Sequence, residues 1–161
     1  MVAMLAALVL LCLVCAAIFL LNRPGSRRPY FPGIALGAVA AGPAFLLGLG
    51  LGALSWRPER AVPLDFDPDL LPALMGLMLA AVIVGAIIAF PLAMLGAMAL
   101  SGLGQDNIGL RHPAFWALTG AFAATGPAAC IGVGDGVVLT AFAFTGAVVA
   151  SICRWRTSWV T

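Results

Sequence analysis

The placement of charge constrains this chain more than any other feature. Its eight Arg and six Asp or Glu all fall outside five long apolar stretches, at 2–21, 34–54, 70–100, 114–131 and 137–153. A helix needs about 20 mostly apolar residues to cross about 30 Å of hydrocarbon. One charge near the centre of such a helix costs roughly 2.5–3.5 kcal/mol on insertion scales. The expected fold is therefore all-α: a polytopic membrane helix bundle of about five transmembrane helices. It forms a single integral membrane domain over 1–161 with no soluble domain. Composition agrees, with 63% hydrophobic and 9% charged residues where soluble domains carry about 25% charge. A net charge of +2 with no Lys offers no electrostatic surface for nucleic acid. So apolar a chain is also not a disordered one.

The loops then report orientation. Arg23, Arg27 and Arg28 follow the first span, Arg111 precedes the fourth, and Arg154 and Arg156 follow the fifth. With five spans these six Arg share one side, leaving Arg57 and Arg60 on the other. The positive-inside rule places the N-terminus outside and the C-terminus in the cytoplasm. Glu59, Asp65, Asp67, Asp69 and Asp135 separate in the opposite sense, with Asp106 alone inside. The first span lacks a positive n-region and is too long for a typical h-region, so it reads as an uncleaved anchor. Arg in place of Lys, with abundant Ala and Gly, suggests a GC-rich genome and a bacterial inner membrane.

The third span, 70–100, would reach about 46 Å as one helix. Splitting it at Pro91 would move Arg111, Arg154 and Arg156 outside, so one long helix kinked near Pro91 is expected. Asp67 suits its cap and Pro68 its first turn. The Gly132-Val133-Gly134-Asp135-Gly136 run reads as the tip of a helical hairpin, its glycines permitting positive φ. Trp56, Trp116, Trp155, Trp159 and Tyr30 stand at or near span ends, as an interfacial aromatic belt would.

Chemistry has little to work with. Cys12 and Cys15 share a helix face and invite a redox or metal reading. A membrane thiol oxidase needs a surface pair and a second pair to exchange with it. Here the first pair lies mid-span, and Cys130 and Cys153 sit at opposite ends of their hairpin. Small apolar packing residues are the simpler account. His112, between Arg111 and Pro113, reads as an interfacial polar residue at a helix start. One His cannot supply two axial haem ligands within a chain. The acids of the 55–69 loop lack an EF-hand spacing for Ca²⁺. The glycine run lacks the strand and spacing of a dinucleotide fingerprint. No catalytic residue, metal site or cofactor is expected.

Transport usually places ionisable residues inside spans, and this chain has none there. Thr119, Thr125, Thr140 and Thr145 could still form a polar pathway, their hydroxyls meeting across the hairpin formed by the fourth and fifth spans. Packing signals are denser. Gly33 with Gly37, Gly48 with Gly52, Ala81 with Gly85 and Ala89, and Gly146 with Ala150 all repeat small residues at four-residue spacing. Such spacing lets helix backbones approach closely in lipid. The partners implied are the lipid bilayer and other membrane helices, in this chain or another. The reading favoured is a non-catalytic accessory or helix-packing subunit. A small transporter or channel over 114–153, and thiol or metal handling through Cys12 and Cys15, are its alternatives.

Overall fold

The computed structural model describes residues 31–56, 59 and 70–157. Within them every regular element is helical: α1 (Phe31–Trp56), α2 (Leu70–Asp106), a 3-10 turn (Ile108–Arg111), α3 (Pro113–Cys130) and α4 (Gly136–Trp155). Three of the four α-helices are long and apolar enough to cross a membrane, over Phe31–Trp56, Leu71–Gly104 and Gly136–Trp155. The expectation of about five such helices is therefore not matched. The 18-residue α3 does fold as a helix, but Pro113, Trp116, Thr119, Gly120, Thr125, Gly126 and Pro127 dilute its apolar content. The expected first span, 2–21, lies outside the described residues, as do Asp67 and Pro68.

Helix ends follow local chemistry. His112 is the N-cap of α3, its Nδ1 accepting from Ala114 N at 3.2 Å, with Pro113 in the first turn. That position needs no amide donor, so Pro fits without cost. Asp135 caps α4 by accepting from Val137 N at 2.8 Å. Gly132 alone among the described residues has a positive φ, +87°. It turns the chain between α3 and α4 as a hairpin tip requires. The long third span is one helix of 37 residues running through Pro91. It ends at Asp106 rather than near residue 100, running on through Gly102 and Gly104 with no Pro or charge to stop it before Asp106. The Asn107 side chain instead accepts from Gly109 N to start the 3-10 turn.

The helices alternate in direction. α1 packs on α4 and on α2, and α4 also packs on α3, giving a serial order α3–α4–α1–α2 with every neighbouring pair antiparallel. One end gathers the start of α1, the end of α2, the 3-10 turn, the start of α3 and the end of α4. Arg111, Arg154 and Arg156 lie there, so it is called the arginine end. The other holds Trp56, the start of α2 and the hairpin tip.

Side chains close the arginine end. Ile34, Ala41, Ala97, Leu100, Trp116, Val149 and Cys153 form a buried cluster, with Phe90 and Met94 packed against it. Trp116 is 0% exposed and its indole donates to Leu110 O at 3.0 Å. This corrects its place in an aromatic belt. A buried indole needs an acceptor for its N–H, and the 3-10 turn supplies one. Trp56 and Trp155, 65% and 77% exposed, do suit an interface. Trp159 and Tyr30 lie outside the described residues.

Candidate functional site

Glycine makes the contacts that hold α1 to its neighbours. A Cβ built on Gly48 would stand 2.7 Å from Ala141 Cα, and one on Gly52 2.7 Å from Val137 O. At Gly33 it would meet Arg156 Cβ at 2.6 Å, and at Gly37 Cys153 Sγ at 3.3 Å. Four glycines thus line one seam between α1 and α4. They lie 4, 11 and 4 residues apart, spacings that return to nearly the same helix face. On another side of α1, a Cβ on Gly85 would lie 2.5 Å from Gly42 N, and one on Gly42 would strike Ala81 O. Ala89 packs on the buried cluster farther along α2. Between α3 and α4, Gly120 and Gly146 face each other so closely that a Cβ on either would strike the other's carbonyl. Ala150 Cβ would lie 2.6 Å from the Cβ on Gly120.

All nine small residues singled out in the sequence therefore sit in or beside contacts within this one chain. Two further glycines, Gly42 and Gly120, were not in that set. Ala38 with Gly42 and Gly120 with Ala124 carry the same four-residue spacing and would have revealed them.

The four threonines behave differently from expectation. Thr119 donates to Phe115 O at 2.8 Å, Thr125 to Ala121 O at 2.9 Å, Thr140 to Gly136 O at 2.7 Å and Thr145 to Ala141 O at 2.7 Å. Each hydroxyl satisfies a carbonyl one turn earlier in its own helix rather than meeting another across the hairpin. This is the local bond that Ser and Thr make most readily in a helix. A cross-helix bond does form at Thr140, whose Oγ1 accepts from Trp56 Nε1 at 3.2 Å. The Trp56 ring lies directly over Gly136, where a Cβ would meet Cε2 at 2.7 Å.

Thr125 and Thr140 line an open groove of about 520 Å³ near the hairpin tip, with Trp56, Gly126, Gly134 and Leu139. Thr119 and Thr145 do not reach it, so the four do not make one pathway. The groove's walls are mainly apolar, and both its hydroxyls already donate within their helices.

At the arginine end, Arg111 Nε donates to Gly104 O at 2.8 Å and Arg154 Nε to Arg111 O at 2.5 Å. These guanidinium groups close carbonyls near the end of α2 and at the end of the 3-10 turn, and the second bond ties α4 to a segment 43 residues earlier. The Arg156 guanidinium lies 5.4 Å from the centre of the Trp155 ring. Cys130 is exposed and Cys153 buried, both free. Cys153 Sγ lies 3.9 Å from Gly33 O. Cys12 and Cys15 lie outside the described residues. No group of three or more potential metal ligands forms among the described residues. Compared with known protein families, curated proteins and solved structures, the chain matches none.

Proposed function

We infer that this chain is a multi-pass protein of the bacterial inner membrane, acting as a non-catalytic accessory or helix-packing subunit of a larger assembly. The first half of α2 carries the reading. Its side chains from 71 to 80 are all exposed, while α1 and α4 are joined backbone to backbone through glycine. Leu71, Leu74, Met75 and Met78 have helical i, i+3, i+4, i+7 spacing. They continue the face that packs on α1 farther along, so the two helices part and leave an apolar wedge. Unbranched Met side chains adapt readily to a partner's shape. Elsewhere Arg111, His112, Asp135 and Arg154 close helix ends, a use of polar groups suited to a scaffold.

Purification in mild detergent should return the protein with a defined partner or as a stable homo-oligomer. Met75→Ala with Met78→Ala should weaken that association while the chain stays folded. A monodisperse lone monomer overturns the reading.

The orientation proposed has the N-terminus outside and the C-terminus cytoplasmic. The clustering of Arg111, Arg154 and Arg156 at the end where α1 begins supports it, since Arg23, Arg27 and Arg28 precede that point in sequence. Reporter fusions after Arg28, Asp65, Asp106 and Thr161 should read cytoplasmic, external, cytoplasmic and cytoplasmic. A cytoplasmic Asp65 would invert the map.

The groove favours a second reading, a small transporter or channel. Reconstituted vesicles would then show solute or ion flux that Thr125→Leu or Thr140→Leu abolishes. No flux across a broad solute panel sinks it.

A further inference from the structure

The three arginines at the arginine end are used differently. Arg111 and Arg154 donate to the backbone carbonyls of Gly104 and Arg111. The Arg156 guanidinium instead lies over the Trp155 ring, and its N–H groups meet no acceptor among the described residues. Both side chains are exposed. We propose that Arg156 and Trp155 form a binding site for the phosphate of an anionic phospholipid, a diester headgroup with no ammonium of its own.

Depth in the membrane supports the assignment. The span Gly136–Trp155 has 20 residues, and at about 30 Å of helix it matches the hydrocarbon thickness. Its last residue is the Trp, a side chain that favours the headgroup zone. Arg156 follows as the C-cap of α4, one residue past the apolar span and level with the lipid phosphates. An arginine here also complements the helix dipole, but Arg154 already does so from the last turn.

The stem of Arg156 is held before its head binds anything. Its backbone N–H donates to Ile152 O at 3.2 Å, and its Cβ fills the space left by Gly33 of α1, where another Cβ would stand 2.6 Å away. Stacking on the indole covers one face of the planar guanidinium and leaves its in-plane donors open. That fork matches two oxygens of a phosphate. Charge then selects the lipid class. Among the described residues this end carries Arg111, Arg154 and Arg156 against one acid, Asp106. A zwitterionic headgroup would bring a further cation to a net positive surface, whereas an anionic one brings none.

The proposal rests on the membrane reading but on neither the subunit role nor the orientation. Phosphatidylglycerol and phosphatidylcholine with identical acyl chains are titrated separately onto the full chain in a neutral, mild detergent. Native mass spectrometry counts the lipids bound, whether the chain is alone or associated, so this result and the co-purification result fail separately. The wild-type chain should hold phosphatidylglycerol about tenfold more tightly, as a charge-assisted bidentate contact allows. Arg156→Gln keeps the Cβ and Cγ beside Gly33 and should remove most of that preference. Trp155→Leu keeps every charge, yet should weaken phosphatidylglycerol binding about threefold, the worth of an exposed cation–π contact. Equal affinity for the two lipids overturns the proposal, as does a preference left unchanged by either substitution. Displacement of the lipid by inorganic phosphate at equal concentration also overturns it, since the site would then take the free anion.

Discussion

The two ends of the molecule are built on different principles. At the arginine end four helices converge on side chains: Trp116 fills the centre, and Arg111 and Arg154 bind carbonyls across segment boundaries. Toward the hairpin tip, α1 and α4 stay together along a glycine seam, with the Trp56–Thr140 hydrogen bond and the edge-on Phe45–Phe142 pair beside it, the first half of α2 is exposed, and a groove opens beside Trp56. In lipid, apolar side chains gain little by leaving the solvent, so helices associate through fit and hydrogen bonds. The closed end has a side-chain core and several such bonds, whereas the tip end has fit along one seam and the single Trp56–Thr140 bond. Stability should therefore be concentrated at the arginine end, and substitutions of one residue type should differ sharply in effect between ends.

Tryptophan makes the largest contrast. Trp116→Ala should destabilise by about 3–5 kcal/mol, the usual cost of emptying a buried aromatic site, and leaves Leu110 O without its indole donor. Trp56→Ala loses one exposed hydrogen bond and should cost roughly 0.5–1.5 kcal/mol. Denaturant titration of both variants in detergent micelles measures the gap. Equal losses would mean that the closed core is not the chief source of stability.

Glycine tests the seam next. Gly48 and Gly50 stand two residues apart in α1, one against Ala141 and the other with nothing near its missing Cβ. Gly48→Ala should cost about 1–3 kcal/mol as the helices are forced apart. Gly50→Ala should stabilise by up to about 1 kcal/mol through helix propensity alone. The opposite signs, read as shifts in thermal unfolding midpoint, are the expectation. Destabilisation by both would show that α1 has a neighbour on its Gly50 side.

Much of this architecture was legible because its boundaries are chemical. The four described helices end within a few residues of their expected limits, where Pro113, Asp135, Gly132 and the charged loops punctuate the apolar runs. The departure at the end of α2 arose because residues 101–105 carry no Pro or charge, and the helix runs on through Gly102 and Gly104. Which face meets which helix was much less legible. α1 and α2 are apolar nearly all round, so periodicity does not mark a buried side. Four-residue spacing identified seam residues but could not say that their partners belong to this chain. Trp116 looked interfacial because it follows Arg111, His112 and Pro113 so closely. Its burial depends on the 3-10 turn folding back to offer Leu110 O, a tertiary event. The threonines were misjudged for the converse reason: a carbonyl one turn back is always present, and a neighbouring helix need not be.

Helix caps provide a smaller test of the same contrast. His112 caps α3 at the arginine end and Asp135 caps α4 at the tip, each accepting a backbone N–H two residues on. Replacing either by Ala should cost about 1 kcal/mol if the caps act locally. His112 has a second task, since its own N–H donates to Gly109 O at 3.3 Å and continues the backbone from the 3-10 turn into α3. That bond survives substitution by Ala, so the side-chain loss is isolated. If the arginine end folds as one cooperative unit, His112→Ala should lower protection of the Trp116 indole N–H along with the first turn of α3. Asp135→Ala should release amide protection only in the first turn of α4. Hydrogen exchange followed by NMR in micelles separates the two patterns. Loss confined to the capped turn in both variants would show that the ends differ in packing but not in cooperativity.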